Sequence, residues 1–234
     1  MRNGLPTPAW MAIGALAFAI LFLAFPELDR MAAASFHGPD GFLLRGNALF
    51  DFVHDYIGVL AWLIALAGLL VAIAGRWASR LAPWRRSAAF VLLVLLLGPG
   101  LVVNAVLKDN WGRARPGHLV EFGGERQFTP AWVISDQCPN NCSFVCGDAS
   151  IGFSLIAMTF IARRPRPWLT ATLTLGGALG LMRMAQGGHF LSDVIFSFYA
   201  VWFTAWALHW LMERTGGPIG PRSDNAEAGS GNVG

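Results

Sequence analysis

Arg183, His189 and Asp193 fall within one stretch, RMAQGGHFLSD, at the rim of an apolar segment. If a helix begins near His189, the spacing to Asp193 sets the carboxylate on the imidazole's face, one turn along. A carboxylate so placed holds one ring nitrogen and leaves the other free to react. Arg183 adds a forked cationic donor suited to an anionic substrate. Alone, the stretch reads more simply as a few polar residues ending a membrane helix, so its meaning depends on the rest of the chain.

Two other stretches carry comparable chemistry. KDNWGRARP, from Lys108 to Pro116, spaces Lys108, Trp111 and Arg115 by three and four residues, which a helix would align on one face. Two cations there could clamp a doubly charged phosphate. Arg113 is expected instead to reach from the helix end towards water, beside Asp109 one turn earlier. SFVCGDAS, from Ser143 to Ser150, is a small glycine-containing turn opening into a helix, whose first N–H groups suit an anion. Asp148 stands at that helix start, where N-capping alone would account for it.

The elements that carry these stretches are apolar. The chain has 234 residues, 55% hydrophobic and 13% charged, with a mean hydropathy of +0.50. A soluble domain would hold about twice that charged fraction, so an integral, all-α membrane protein is expected. The net charge of +3 rests almost wholly on arginine, Lys108 being the single lysine. That balance fits anionic lipid head groups and offers no nucleic-acid module.

Apolar runs over Thr7–Phe25, Ile57–Ala74, Ala88–Leu107, Asp148–Ile161, Trp168–Met182 and Leu191–Leu211 predict six transmembrane helices. Gly98, Pro99 and Gly100 interrupt the third, where a kink is expected. Glu27–Tyr56 reads either as a surface-lying helix or as an ordinary connection. Arginine clusters at 76–86 and 163–166 mark two cytoplasmic loops and put both termini inside. The same count gathers 108–147 and 184–190 on the opposite face. A single six-helix domain over residues 1–214 and a disordered cytoplasmic tail over 215–234 are expected.

Cys138, Cys142 and Cys146 cluster in the long polar segment. Zinc would lack a fourth ligand, the nearest histidine in sequence being His118. A Cys138–Cys142 bridge is expected where that loop meets an oxidising compartment.

The pattern Lys108-x6-Arg115-Pro116, a glycine turn, then Arg183-x5-His189-x3-Asp193 resembles the three-part signature of the type-2 phosphatidic acid phosphatases, integral membrane lipid phosphate phosphatases. By that resemblance Lys108, Arg115 and Arg183, with Cys146 and Gly147 of the turn, would bind phosphate. His189 would attack phosphorus to give a phosphohistidine, and Asp193 would orient its ring. No metal or other cofactor is implied. The substrate would be a lipid phosphate of lipid A, undecaprenyl diphosphate or phosphatidylglycerol phosphate type. The site would face the periplasm from a bacterial inner membrane, and nothing here bears on oligomeric state.

The middle motif departs from the family's Pro-Ser-Gly-His, reading Val145, Cys146, Gly147 and Asp148. The proton-donating histidine is thus an aspartate, which stays ionised beside cations and donates protons poorly. Either bound phosphate shares a proton with Asp148, or the leaving group is a diphosphate or anomeric sugar phosphate that needs little help. Cys146 is a lesser candidate nucleophile. Phosphotransfer to another lipid, or an idle lipid-phosphate binder, are the competing functions.

Overall fold

The computed structural model describes residues 7–219. The chain is mostly helical. In order, α1 spans Pro8–Ala24, α2 Glu27–Ala34, α3 Ala48–Ala74, α4 Ala82–Lys108, α5 Gly147–Ile161, α6 Pro165–Ala185 and α7 Leu191–Gly216. A two-stranded ribbon pairs His37–Gly38 with Gly41–Phe42 between α2 and α3.

Three helices, α3, α4 and α7, are long and apolar enough to cross a membrane. A fourth span results if α1 and α2, bent by 83° at their junction, count together. By length and composition the described residues thus hold three to four spans, against the six expected. Helix α5 is short, and α6 is diluted by threonine and glycine along its 21 residues.

Helix α3 begins well before the expected Ile57. Asn47 caps it, its side chain accepting from the Leu49 N–H at 3.1 Å, and Asp51 sits in the first turn. Both suit a helix N-terminus. Asp51, His54 and Asp55 thus lie on this helix and not in a connecting segment. Further along, α3 buries Ala65 and exposes Trp62, Leu63, Leu66 and Leu70, as a lipid-facing helix would.

In α4, Pro99 lacks an N–H and its ring crowds the carbonyl one turn back. The backbone answers by widening to π-helical hydrogen bonding from Leu96 to Lys108, and the Asn104 side chain donates to the Pro99 carbonyl at 2.8 Å. The interruption is absorbed without ending the helix.

Helix α7 is the hub. Val201, Trp202 and Ala205 pack with Phe90 and Val94 of α4 and Phe153 and Ile156 of α5 in one buried cluster. Small residues let α5 and α6 touch: a Cβ on Gly152 would stand 2.7 Å from the Gly176 Cα. Such close approach is the usual source of helix association where lipid removes the hydrophobic drive. Residues 215–219, expected in the tail, belong to the fold: Ile219 is buried and its carbonyl accepts from Ser87 Oγ at 2.6 Å. The remainder of that tail lies outside the described residues.

Candidate active site

The polar segment after α4 does not continue as a helix. Gly112 adopts a left-handed φ of +68°, and a Cβ there would overlap the Ser135 carbonyl oxygen. The chain therefore turns out of helix after Lys108, and Lys108 and Arg115 do not share one helix face. Trp111 instead packs on Phe144 and Trp132 and donates from Nε1 to the Ala131 carbonyl at 2.6 Å. A bonded Cys138–Cys142 pair, with Cα atoms 5.6 Å apart, closes the far end of the segment.

The loop returns the two cations to one place by another route. Lys108 is buried at the end of α4, in the field of Arg115, Arg183 and Asp148. Arg115 donates to the Asn141 carbonyl at 2.9 Å. Arg183, only 5% exposed, donates from one terminal nitrogen to Gln186 Oε1 at 2.7 Å, while its buried Nε lacks a hydrogen-bond partner. An unpartnered buried guanidinium donor is costly, and an anion in the cradle would satisfy it.

Two glycines make the cradle possible. A Cβ on Gly147 would stand 3.2 Å from Asn104 Oδ1 and 3.4 Å from Lys108 Nζ. One on Gly188 would lie 2.8 Å from a terminal nitrogen of Arg183.

His189 lies just before α7, whose N-cap is Phe190. It is 2% exposed, and Nδ1 is 2.7 Å from the Ser143 carbonyl oxygen. A carbonyl only accepts, so Nδ1 carries the proton and Nε2 keeps its lone pair. Burial, with the charges of Lys108 and Arg115, lowers the pKa of His189 to about 4 although Asp193 acts the other way. The ring is therefore neutral near pH 7 and nucleophilic at Nε2.

Asp193 is not the direct orienting partner that the spacing suggested. Its Oδ2 is 3.6 Å from His189 Nδ1 and instead accepts the Phe190 N–H at 2.8 Å and the Ser143 hydroxyl at 2.5 Å. Its Oδ1 accepts from Arg113 at 2.7 Å. Ser143 also links the two, its hydroxyl donating to the carboxylate and its carbonyl accepting from the imidazole.

Arg113, expected to reach towards water, is fully buried. Its guanidinium pairs with Asp29 of α2 at 2.8 Å as well as Asp193, and donates to the Thr129 carbonyl at 2.9 Å and Ser192 Oγ at 2.9 Å. It stacks 4.1 Å from the Phe190 ring centroid. Asp109 lies elsewhere, accepting from the Asn141 N–H.

The turn before α5 divides its residues. Cys146 is buried among Ala149, Phe153, Met184 and Val194, and its N–H donates to the Asp193 carbonyl. Burial, reinforced by Asp148, pushes its thiol up to about 12. Such a thiol stays protonated and is a poor nucleophile. Asp148 lies 3.4 Å from Arg183 Nε and, unforeseen in the sequence, 2.7 Å from His54 Nδ1 of α3.

A family model described as the PAP2 superfamily matches residues 87–216, more than half of the chain. The chain belongs to the PAP2 superfamily. It is 41% identical over 207 residues to a lipid A 4'-phosphatase of Francisella tularensis subsp. novicida (strain U112), covering 83% of this chain and 90% of that one. It is 34% identical over 183 residues to a lipid A 4'-phosphatase of Rhizobium leguminosarum, covering 76% and 78%. Another of the same name, from Rhizobium etli (strain ATCC 51251 / DSM 11541 / JCM 21823 / NBRC 15573 / CFN 42), is 34% identical over 183 residues, covering 76% and 70%. No solved structure matches.

The PAP2 match includes Lys108, Arg115, Asp148, Arg183, His189 and Asp193, while Asp29 and His54 lie before its first residue. Neither position stands out locally. The signal that would have helped with His54 is the recurrence of Phe50, Val53, Ile57 and Leu60 behind the cap at Asn47.

Proposed function

We propose that this PAP2 protein removes a phosphate from a lipid-borne sugar, as the names of its relatives suggest for the 4'-phosphate of lipid A. The observation that carries the reading is His189: a buried, neutral imidazole with Nδ1 committed to a carbonyl, in the field of Lys108 and Arg115.

Nε2 of His189 attacks phosphorus, forming the N–P bond while the P–O bond to the lipid breaks. Lys108, Arg115 and Arg183 stabilise charge on the peripheral oxygens, and the Arg183 Nε, 3.4 Å from Asp148 without a hydrogen bond, gains one. Gly147 brings the start of α5 close enough for its N–H groups to join them. Water then cleaves the phosphohistidine and releases phosphate. The positive charge comes from side chains, and the mechanism uses no metal.

The expected orientation, six spans with the site towards the periplasm of an inner membrane, rests on the arginine loops at 76–86 and 163–166. A cavity of about 150 Å³ between α3 and α4, lined by Gly58, Trp62, Pro99 and Asn104, adjoins the cradle through Asn104. Its apolar walls suit an acyl chain entering from the bilayer.

The test is phosphate release from lipid A by the purified chain in detergent, with product mass and phosphate position recorded. His189→Ala should abolish release, and rapid quenching of the active protein should trap an acid-labile, base-stable phosphoprotein. Wild-type turnover that survives His189→Ala would refute the assignment.

A further inference from the structure

A phosphate on a non-anomeric sugar hydroxyl leaves as a poor alkoxide unless it is protonated as the P–O bond breaks. Asp148 stands where the proton should come from, yet against the upward push of burial the His54 contact and Arg183 hold its carboxyl below the usual carboxylate range. The structure brings an imidazole against it, that of His54.

We infer that His54 and Asp148 form a proton-delivery pair, with the histidine missing from the second motif supplied by α3. This rests on the phosphatase reading above and concerns only its leaving-group step.

Three observations converge. His54 Nδ1 lies 2.7 Å from Asp148 Oδ2, and the same oxygen is 3.4 Å from Arg183 Nε, so the pair borders the cradle. The His54 side chain is 39% exposed against 12% for Asp148, giving the pair an inner end at the phosphate and an outer end open to proton exchange. The face of α3 that bears His54 is also fixed one turn earlier: Asp51 accepts from Gln186 at 2.8 Å, and Gln186 accepts from Arg183 at 2.7 Å. Two polar contacts thus seat this end of α3 on the site.

The step balances with one shared proton. The pair exists as ionised Asp148 with an imidazolium, or as carboxylic Asp148 with a neutral imidazole. As the His189 lone pair forms the N–P bond and the P–O electrons move to the leaving oxygen, carboxylic Asp148 gives that oxygen its proton. A lipid alcohol departs, leaving carboxylate and neutral imidazole. In the second half, the pair takes a proton from the water that attacks phosphorus, and the N–P electrons return to His189. Phosphate leaves and the pair is reset.

Among the described residues, Asp148 meets His54 from α5, and Asp51 and Asp55 stand three residues before it and one after it in α3. On the far side of Asp148 stand Arg183 and Lys108, in whose field the carboxylate lies.

The test compares the full chain with His54→Gln on two substrates, lipid A and 4-nitrophenyl phosphate, whose phenolate needs no proton to leave. General-acid loss should lower kcat on the lipid about a hundredfold and on the aryl ester less than tenfold. The double variant with Asp148→Asn should be no slower than the worse single variant. Imidazole should restore lipid turnover to His54→Ala, and competitive inhibition by inorganic phosphate reports that the cradle remains intact in each variant. Equal losses on both substrates, or an unimpaired His54→Gln, overturn the pair while leaving the phosphatase reading in place. Wild-type protein that releases phosphate from neither substrate overturns both.

Discussion

Asp193 and His189 share an oxygen–nitrogen separation of 3.6 Å, yet each makes its short contacts elsewhere, Asp193 with Arg113 and His189 with the Ser143 carbonyl, both at 2.7 Å. The imidazole's tautomer is set by a backbone acceptor, and the carboxylate's charge is matched by a buried guanidinium. The closest contacts of the two residues are therefore separate.

Asp193→Asn should accordingly act first on stability. Removing one charge from a fully buried pair leaves Arg113 undercompensated, which costs about 3–5 kcal/mol. Thermal unfolding in detergent should show a clear drop in Tm for Asp193→Asn, and little for His189→Ala, which keeps the ion pairs. The folded fraction of Asp193→Asn should retain measurable turnover, because Ser143 still presents its carbonyl. An Asn variant as stable as wild type, with turnover lost, would contradict this division.

The low pKa of His189 fixes a second expectation. With a folded value near 4, against about 6.5 for an unperturbed histidine, the ring stays unprotonated through the mildly acidic range. An NMR titration should place its ring protonation well below that of an exposed histidine. The sign for stability follows from proton uptake: between these values the unfolded chain binds the extra proton, so stability falls as pH drops from about 6.5 to about 4. A ring that titrates near 6.5 in the folded protein would exclude both effects.

Gly147→Ala should damage the cradle without unfolding the chain. The new methyl would press on Asn104 and on the Lys108 ammonium at contact distances of 3.2 and 3.4 Å. A flexible ammonium can move, so the expected outcome is a rise in KM and at least a tenfold loss in kcat/KM, with Tm close to wild type. Unchanged kinetics would mean that Lys108 does not need its present position.

Cys146→Ser should retain most of its turnover. The thiol is packed among apolar side chains and held near a pKa of 12, so it contributes volume and no thiolate. Thiol-alkylating reagents applied to the native protein should leave activity intact. Inactivation that tracks modification of Cys146 would return it to the list of candidate nucleophiles.

Local spacing marked Lys108, Arg115, Arg183, His189 and Asp193 as candidates, because their intervals depend on nothing distant. The means by which they meet were less visible. Lys108 and Arg115 looked like one helix face, but Gly112 turns the chain out of helix between them. Arg113 looked like a solvated helix-end cation because its partners, Asp29 and Asp193, are 84 and 80 positions away. His54 escaped notice for the same reason, 94 positions from Asp148, and because three ionisable residues disguised the first turns of α3 as a connection. Pairings made by the folding of distant segments leave no mark on either segment alone.

The bend between α1 and α2 sends Asp29 into the centre of the protein, where it binds Arg113, the Ser192 N–H and the Ser192 hydroxyl. Asp29 is thus wired to the helix that begins beside the nucleophile, although it precedes the part of the chain that defines the family. The buried ion-pair network at the start of α7 therefore reaches beyond residues 87–216 that match the family model. A truncated chain starting at residue 87 would keep His189, Lys108, Arg115 and Arg183, yet leave Arg113 without Asp29 and Asp148 without His54.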